Sequence, residues 1–314
     1  MTGKMELMTR IDIPVSEWKI AAGAKVLLVG SCFADEIGER MTRGGFEAMV
    51  NPFGTLYNPA SIAASLLRSI SEKEVPQPSK GEAVQREGTA EIFCDGNGVW
   101  HSWMHHSRFS SPDVATLVER INGTTHRVAD FLREADVLVV TFGTAIIYRL
   151  KEAGMLVANC HKQLDSLFVR ERLNAYDIVD QWQMLLQLLE SVNPKLKVIF
   201  TVSPIRHKRD GYHVNQISKG ILLQGTEEIV NGRLSNDTCR YFPSYEIMMD
   251  ELRDYRFYAD DMIHPSTQAV EYIWQRFQDT YFDNKTKDAV AKAEKEWKQC
   301  QHRQIVNGKL SNCK

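Results

Sequence analysis

The sequence lacks three features that would each point to a particular class of protein. It has no uninterrupted apolar run near the ~18 residues of a membrane-spanning helix, so we expect no membrane segment. Its charges nearly cancel, with 38 Lys and Arg against 40 Asp and Glu, which argues against a broad basic face for nucleic acid. Its six cysteines are scattered singly without a CxxC pair, which argues against a dense disulfide framework.

The N-terminal segment is too highly charged to be a secretory signal. Residues 1–20 carry six charged side chains that interrupt every apolar stretch, so the hydrophobic centre of a signal peptide is missing. Scattered single cysteines are typical of a reducing compartment. We therefore expect a cytoplasmic protein that binds neither a membrane nor nucleic acid.

Three apolar runs predict a parallel sheet. Residues 25–30, 136–143 and 197–204 are continuous apolar runs, rich in Val and Ile, that end in small residues. Such runs are typical of strands covered on both faces, as in parallel sheets. Four helical patterns lie between these runs, at residues 33–43, 60–70, 112–134 and 175–191. Two weaker strand patterns lie at residues 45–50 and 240–247. The alternation predicts a doubly wound α/β protein.

Two stretches depart from this alternation. Residues 71–111 begin polar and rich in Gly and Pro, and then predict a β-hairpin with strands at 91–94 and 99–103. We expect this segment to be an insertion over one edge of the sheet. The basic residues 283–314 predict a solvated helix and tail. A single domain would therefore span residues 1–282.

In open α/β sheets, ligands bind beyond the carboxyl ends of the strands, and Ser31 lies at such an end. It follows Gly30 and precedes a predicted helix, without the glycine patterns of a Rossmann loop, a P-loop or a GxSxG elbow. Two interpretations are open: Ser31 caps the helix, or it is a nucleophile. Cys32 is a rival nucleophile because a helix N-terminus activates thiols, but we expect it to be a small buried side chain.

A second candidate group lies far down the chain, at Asp261 and His264. The two residues are three positions apart, so the carboxylate can accept from the imidazole Nδ1–H and leave Nε2 free as a base. Pro265 follows at once and favours a helix over residues 265–282. Alone, the pair could equally provide local order in a loop. Together with Ser31 it supplies the base and the orienting group that a serine nucleophile needs.

The pentapeptide at residues 30–34, Gly-Ser-Cys-Phe-Ala, resembles the GSCFA family, which lies within the SGNH (GDSL-like) hydrolases. Four further blocks look like those of the family, at residues 51–59, 141–145, 158–162 and 258–265. The resemblance implies a flavodoxin-like three-layer α/β/α fold with a mostly parallel sheet. It also implies a serine hydrolase of esterase type, for which we expect neither a metal nor a cofactor.

The resemblance also implies a role for individual residues. Ser31 matches the nucleophile, His264 the general base and Asp261 the residue that orients it. Gly54 matches the glycine of the second block, whose N–H would join that of Ser31 in an oxyanion hole.

The third block departs from the superfamily pattern. Gly143 is followed by Thr144, where the superfamily supplies an Asn side chain as a further oxyanion donor. Whether the shorter Thr144 hydroxyl replaces it is open. His161 could line the pocket or be a hydrogen-bonded structural histidine, and Arg206 or His207 could reach a polar substrate group.

Three functions follow from these residues. The first is hydrolysis of an O-acyl ester, such as an O-acetyl group on a carbohydrate, through an acyl-Ser31 intermediate. The second is O-acyl transfer to a glycan or a small alcohol. The third is a weakly active or inactive binding protein, which Thr144 motivates. His101, His105 and His106 lie close in sequence but lack a carboxylate or Cys at ligand spacing, so we predict no metal there.

Overall fold

The computed structural model describes residues 8–77, 91–232 and 238–306, and these contain ten strands and eight α-helices. The strands are β1 (Lys25–Gly30), β2 (Glu47–Val50), β3 (Ile92–Cys94), β4 (Trp100–Ser102), β5 (Val137–Phe142), β6 (Ile146–Leu150), β7 (Leu156–Val157), β8 (Phe168–Arg172), β9 (Lys197–Val202) and β10 (Cys239–Phe242). The helices are α1 (Cys32–Arg43), α2 (Pro59–Ile70), α3 (Val114–Glu134), α4 (Ala175–Val192), α5 (Tyr212–Val230), α6 (Ser244–Glu246), α7 (Thr267–Tyr281) and α8 (Asn284–Val306). None of the helices in these ranges has the length and apolar composition of a membrane span.

Five parallel strands form the central sheet, in the order β2-β1-β5-β9-β10. Counted along the chain they run 2-1-3-4-5, which is the flavodoxin-like order of a doubly wound sheet. The predicted α/β class with a mostly parallel sheet is therefore confirmed. The order reverses where β1 pairs with β5, and ligands bind beyond the carboxyl ends of the strands at such a point. Gly30 and Thr141 lie side by side there.

Helices cover the sheet on both faces, which explains why its strands are apolar throughout. On one face α2, α4 and α5 bury large side chains against it, including Leu66, Trp182 and Leu222. On the other face α1 and α7 do the same with Phe33 and Trp274. These two cores give the three-layer arrangement.

Two small antiparallel sheets lie apart from the central one. The predicted hairpin is present as β3 and β4, whereas residues 78–90 of the predicted insertion lie outside the described residues. The second sheet, β7-β6-β8, was not predicted, because charged residues such as Arg149, Arg170 and Glu171 interrupt its strands. The two sheets are joined where the Ala158 N–H donates to the Trp103 carbonyl at 2.8 Å.

The segment after His264 differs from the prediction. Helix α7 begins at Thr267, with Ser266 as its N-cap, so the prediction that Pro265 opens the helix is wrong. Pro265 instead forms an antiparallel bridge with Tyr258, which ties the two ends of the loop that carries His264. Proline often occupies the first turn of a helix, but here Pro265 closes the loop and the helix begins after it.

Candidate active site

Ser31 lies between strand β1 and helix α1 at the switch point of the sheet. Gly30 has a φ of +138°, and a Cβ there would lie 2.2 Å from the Thr141 carbonyl oxygen, so the junction requires glycine. The Ser31 N–H donates to that carbonyl at 3.1 Å. Ser31 Oγ caps α1 by accepting from the Phe33 N–H at 3.3 Å, and the residue is 1% exposed. The capping interpretation of Ser31 is therefore observed.

Asp261 and His264 form a hydrogen-bonded pair within one tight loop. Asp261 Oδ2 lies 2.6 Å from His264 Nδ1, while Oδ1 accepts from the backbone N–H groups of Ile263 and His264 at 2.8 and 2.9 Å. The His264 backbone N–H contributes most to holding the pKa of Asp261 at about 2, followed by the imidazole. An ionised Asp261 fixes the tautomer of His264 with the proton on Nδ1 and leaves Nε2 as an acceptor.

The His264 imidazole is directed at the first turn of α1. Its Nε2 lies 3.7 Å from Cys32 Sγ, one residue beyond Ser31. Within the described residues no hydrogen bond joins Ser31 to His264: the imidazole contacts Cys32, and the Ser31 hydroxyl is turned toward the helix. Burial, with a smaller contribution from Asp35, raises the pKa of the Cys32 thiol to about 11. A thiol with this pKa stays protonated at neutral pH.

Gly54 lies in the loop after β2, where its backbone is tightly packed. Its φ is +86°, and a Cβ would lie 2.1 Å from the Cβ of His106, so this position requires glycine for two reasons. The Gly54 N–H donates to the Asn51 carbonyl at 2.8 Å. Both N–H groups that the resemblance assigns to the oxyanion hole, those of Ser31 and Gly54, thus donate to backbone carbonyls in this conformation.

Gly143 and Thr144 follow β5 on the other side of Ser31. Their N–H groups both donate to the Tyr57 carbonyl, at 2.7 and 2.9 Å. The Thr144 side chain is directed away from Ser31, because its Oγ1 lies 3.1 Å from Ser218 Oγ and accepts from the Ile146 N–H at 3.2 Å. Thr144 therefore stabilises the turn after β5.

His161 lies with the two small sheets. Its Nε2 is 2.7 Å from the Ser102 carbonyl oxygen, and its ring lies 4.6 Å from that of His101. Burial is the main reason that the pKa of His161 falls to about 4, so its ring is neutral at pH 7. Through this bond the ring joins the hairpin to the loop after β7, as the alternative of a hydrogen-bonded structural histidine predicts, while its Nδ1 is buried without a hydrogen-bond partner in the described residues.

Lys219 is a buried residue at the site that the sequence analysis missed. Its Nζ donates to the carbonyls of Gly143 and Ser203, at 2.8 and 2.7 Å, which join the ends of β5 and β9. The side chain is 1% exposed, and burial lowers its pKa to about 7. A lysine in the middle of a helix usually faces solvent, so the sequence carries no signal for this role.

A cavity of about 410 Å³ opens beside the loop that carries His264. Arg206 connects the two: its guanidinium donates to the Met262 carbonyl at 2.5 Å and lies 4.4 Å from the centre of the Tyr258 ring. Three tyrosines, two arginines, a glutamine and two aspartates are among the lining residues: Tyr245, Tyr255, Tyr258, Arg206, Arg253, Gln216, Asp250 and Asp254. This lining of rings and hydrogen-bonding groups suits a polar ligand with flat apolar faces.

No group of three or more His, Cys, Asp or Glu in the described part of the chain is arranged to hold a metal ion. His101, His105 and His106 each have another partner or packing contact. His101 Nδ1 lies 2.7 Å from Ser110 Oγ, His105 Nδ1 lies 2.8 Å from Ser102 Oγ, and His106 packs on Gly54.

The profile of the GSCFA family matches residues 25–277. The chain belongs to the GSCFA family. A search of curated proteins found no match. Among solved structures, the chain is similar to a carbohydrate esterase family 3 protein from Talaromyces cellulolyticus, with 12% identity and a TM-score of 0.35 over 81% of this chain and 94% of that one. It is also similar to an acetyl xylan esterase from the rumen bacterium Butyrivibrio proteoclasticus, with 12% identity and a TM-score of 0.32 over 86% of this chain and 64% of that one.

Proposed function

We propose that this GSCFA protein is a serine hydrolase of esterase type, with Ser31 as nucleophile, His264 as general base and Asp261 as the group that orients the base. The observation that carries the proposal is the Asp261–His264 pair, whose Nε2 lies 3.7 Å from Cys32 Sγ in the first turn of α1, one residue beyond Ser31. A serine hydroxyl needs such a base, and the base needs such a carboxylate. Membership of the family supports the same assignment.

In the proposed reaction, Ser31 Oγ attacks the ester carbonyl and its proton passes to His264 Nε2. The tetrahedral intermediate collapses when His264 returns that proton to the leaving alcohol, which leaves an acyl-Ser31 ester. Water then attacks, His264 again takes and returns the proton, and the free acid departs. Before the first step the Ser31 hydroxyl must rotate from the Phe33 N–H toward His264, at the cost of one long capping bond of 3.3 Å.

The position of Ser31 also favours negative charge on the reacting oxygen. Ser31 precedes the first residue of α1, and the N–H groups of a first helical turn have no intrahelical acceptor. The partial positive charge of the helix N-terminus stabilises an anion within about one turn. The N–H of Ser31 can join these donors only if its bond to Thr141 lengthens.

We propose an O-acetyl carbohydrate as the substrate and assign its alcohol part to the 410 Å³ cavity, which adjoins the His264 loop at Arg206 and Tyr258 and is not lined by Ser31 or His264 themselves. Flat apolar sugar faces pack on exposed tyrosine rings such as that of Tyr255, and Arg206 hydrogen-bonds hydroxyl groups. The same acyl-Ser31 intermediate transfers its acyl group if a second alcohol enters ahead of water. Product analysis with added sugar acceptors distinguishes the two: free acid alone indicates an esterase, and acylated acceptor indicates a transferase.

An inactive binding protein on the same fold is the second candidate function. The specific observation that favours it is the state of the donors: Ser31 is buried, and its N–H and that of Gly54 donate to backbone carbonyls. A protein that has retained the residues for packing alone would have this arrangement.

Intact-mass labelling with a fluorophosphonate tests the proposal on wild type, Ser31→Ala and Cys32→Ala. An activated serine displaces fluoride and forms one Ser–O–P bond. We expect a single adduct in wild type and Cys32→Ala, and none in Ser31→Ala. An adduct that persists in Ser31→Ala and disappears in Cys32→Ala would assign the nucleophile to the thiol instead. No adduct on the wild-type protein would favour the binding protein.

A further inference from the structure

The region around Gly143 lacks the side-chain donor that the superfamily has there. Local hydrogen bonds prevent the Thr144 hydroxyl from taking that role. Thr144 Oγ1 is held 3.1 Å from Ser218 Oγ. Ser218 Oγ in turn accepts from the Ala145 N–H at 2.6 Å. Rotating Thr144 toward Ser31 would break contacts within a buried network, which is costly for polar groups. A third donor to the substrate therefore has to come from another residue.

His207 has an unused ring nitrogen at this place. It lies between β9 and α5, where its backbone N–H donates to Asn215 Oδ1 at 3.0 Å and its ring meets the Tyr57 ring edge-on. Its Nε2 is fully buried and has no hydrogen-bond partner in the described parts of the chain. Thirteen other side-chain atoms in the described residues are also buried without a partner, so what distinguishes His207 is where its Nε2 lies. A ligand that completes the bond is one explanation for such an atom.

The unused nitrogen faces Ser31 across the bare Cα of Gly143. A Cβ added to Gly143 would lie 3.1 Å from His207 Nε2, 3.1 Å from the Tyr57 carbonyl oxygen and 3.4 Å from Ser31 Cβ. Because glycine has no such atom, a small space bordered by these three groups separates the imidazole from the serine. We place the oxygen of a reacting carbonyl on the His207 side of this space.

The surroundings keep the His207 ring neutral. Burial, and secondarily the charge of Lys219, lower the pKa of His207 to about 4. A neutral imidazole with its proton on Nε2 donates one hydrogen bond and does not compete with His264 for the proton of Ser31. Lys219 also holds the Gly143 and Ser203 carbonyls, which fixes both chain segments that flank this space.

We infer that His207 is a further catalytic residue, whose Nε2–H donates a hydrogen bond to the substrate carbonyl oxygen as it becomes negative. The inference rests on the proposed function. In the superfamily, an Asn side chain at the position of Thr144 provides this donor. Here His207, which follows β9, provides it instead. A preorganised donor of this kind strengthens mainly in the transition state, so it raises the rate more than it raises substrate affinity.

The rate of fluorophosphonate labelling tests this role, because the phosphonyl oxygen occupies the same place as the carbonyl oxygen. We expect His207→Leu to label about 10²–10³-fold more slowly than wild type, the effect of losing one oxyanion donor. His207→Gln retains an amide donor and should recover part of the rate. His213→Leu, at an exposed histidine on α5, is the matched control and should label like the wild type.

Gly143→Ala provides a second, independent variant. Its new methyl group would occupy the space between His207 Nε2 and Ser31, and it would lie 3.1 Å from both His207 Nε2 and the Tyr57 carbonyl oxygen, so these atoms would have to shift slightly. We expect slower labelling here too, and the melting temperature of the variant shows how much this crowding destabilises the fold. With p-nitrophenyl acetate as substrate, kcat should fall in the variants of His207 while KM stays within a few fold.

Each outcome decides between distinct conclusions. If Ser31→Ala abolishes labelling but folded His207→Leu labels at the wild-type rate, the inference about His207 is wrong and the proposed function stands. If the wild type does not label, both fail. If His207→Leu slows labelling but His207→Gln recovers nothing and both unfold at lower temperature, the role of His207 is structural.

Discussion

The two sides of Ser31 satisfy their hydrogen bonds in different ways. On the His264 side, the pair with Asp261 is almost half exposed and is complete within one loop of the chain. On the Gly143 side the groups are buried and joined to distant segments, as Lys219 and Thr144 illustrate. For the proposed reaction this difference implies a division of work: the exposed side would handle protons that exchange with solvent, and the buried side would present fixed dipoles, whose effect is strongest away from water.

The largest effect on kcat should come from removing the nucleophile or the base that takes its proton. In Ser31→Ala or His264→Ala we expect kcat to fall on the order of 10⁶-fold, because nucleophile and base act as a unit. The double variant should lose little more than either single one. Kinetics with p-nitrophenyl acetate, corrected for the uncatalysed reaction, measure all three. Losses that multiply in the double variant would contradict a shared mechanism.

Asp261→Asn tests the same Asp261–His264 pair, and we expect a smaller effect. The amide keeps the shape but can donate to Nδ1, which favours the wrong tautomer of His264, so we expect a loss of about 10⁴-fold in kcat. Because the pKa of Asp261 is about 2, its carboxylate stays ionised at any pH above about 3. An acid limb of the wild-type rate in the range of pH 4 to 8 therefore belongs to another group. Asp260→Asn, at the neighbouring residue, is the control and should leave kcat unchanged.

Gly54→Ala tests the packing of a third part of the site, the buried loop after β2. The residue has a positive φ and its new Cβ would meet His106, whereas Gly98 in the hairpin turn has a φ of +78° with nothing within 4 Å. Gly98→Ala is therefore a matched control that carries the backbone strain alone. We expect Gly54→Ala to lower the free energy of unfolding by about 1–3 kcal/mol more than Gly98→Ala does, as for an overpacked site. Urea denaturation of both variants measures the difference, and equal losses would mean that His106 moves aside freely.

The parts of the site that could be predicted from the sequence are those whose contacts join residues close together in the chain. Asp261 and His264 are three residues apart, so their spacing alone predicted the pair, and Ser31 could be located because a strand ends at Gly30. The direction of the Thr144 side chain depends on Ser218, 74 residues away, and the burial of Lys219 depends on the packing of α5. The same holds for the fold, in which the apolar strands of the central sheet were recognised and the charged strands of β7-β6-β8 were not.

Mild acid should lower the stability of the protein through its buried histidines. Burial lowers the pKa of His161 and His207 to about 4 and that of His105 to about 3, against about 6.5 in an unfolded chain. Between pH 6.5 and 4 the unfolded state therefore binds more protons, so stability is full above pH 6.5 and falls as the pH decreases. Urea denaturation at pH 7 and pH 5 should give a lower free energy of unfolding at pH 5. His126, Asp35 and Glu246 oppose this change because their pKa values are raised, but their shifts are smaller than those of the three buried histidines.

Variants test whether the buried histidines cause the difference in the free energy of unfolding between pH 7 and pH 5. In His161→Gln the difference should shrink, because one neutral buried imidazole no longer resists protonation, and His213→Gln should leave it unchanged. An equal free energy at both pH values in the wild type would mean that the buried histidines are hydrated enough to titrate normally. In that case the side of Ser31 that faces His207 would be open to water, and a donor there would be worth much less in the transition state.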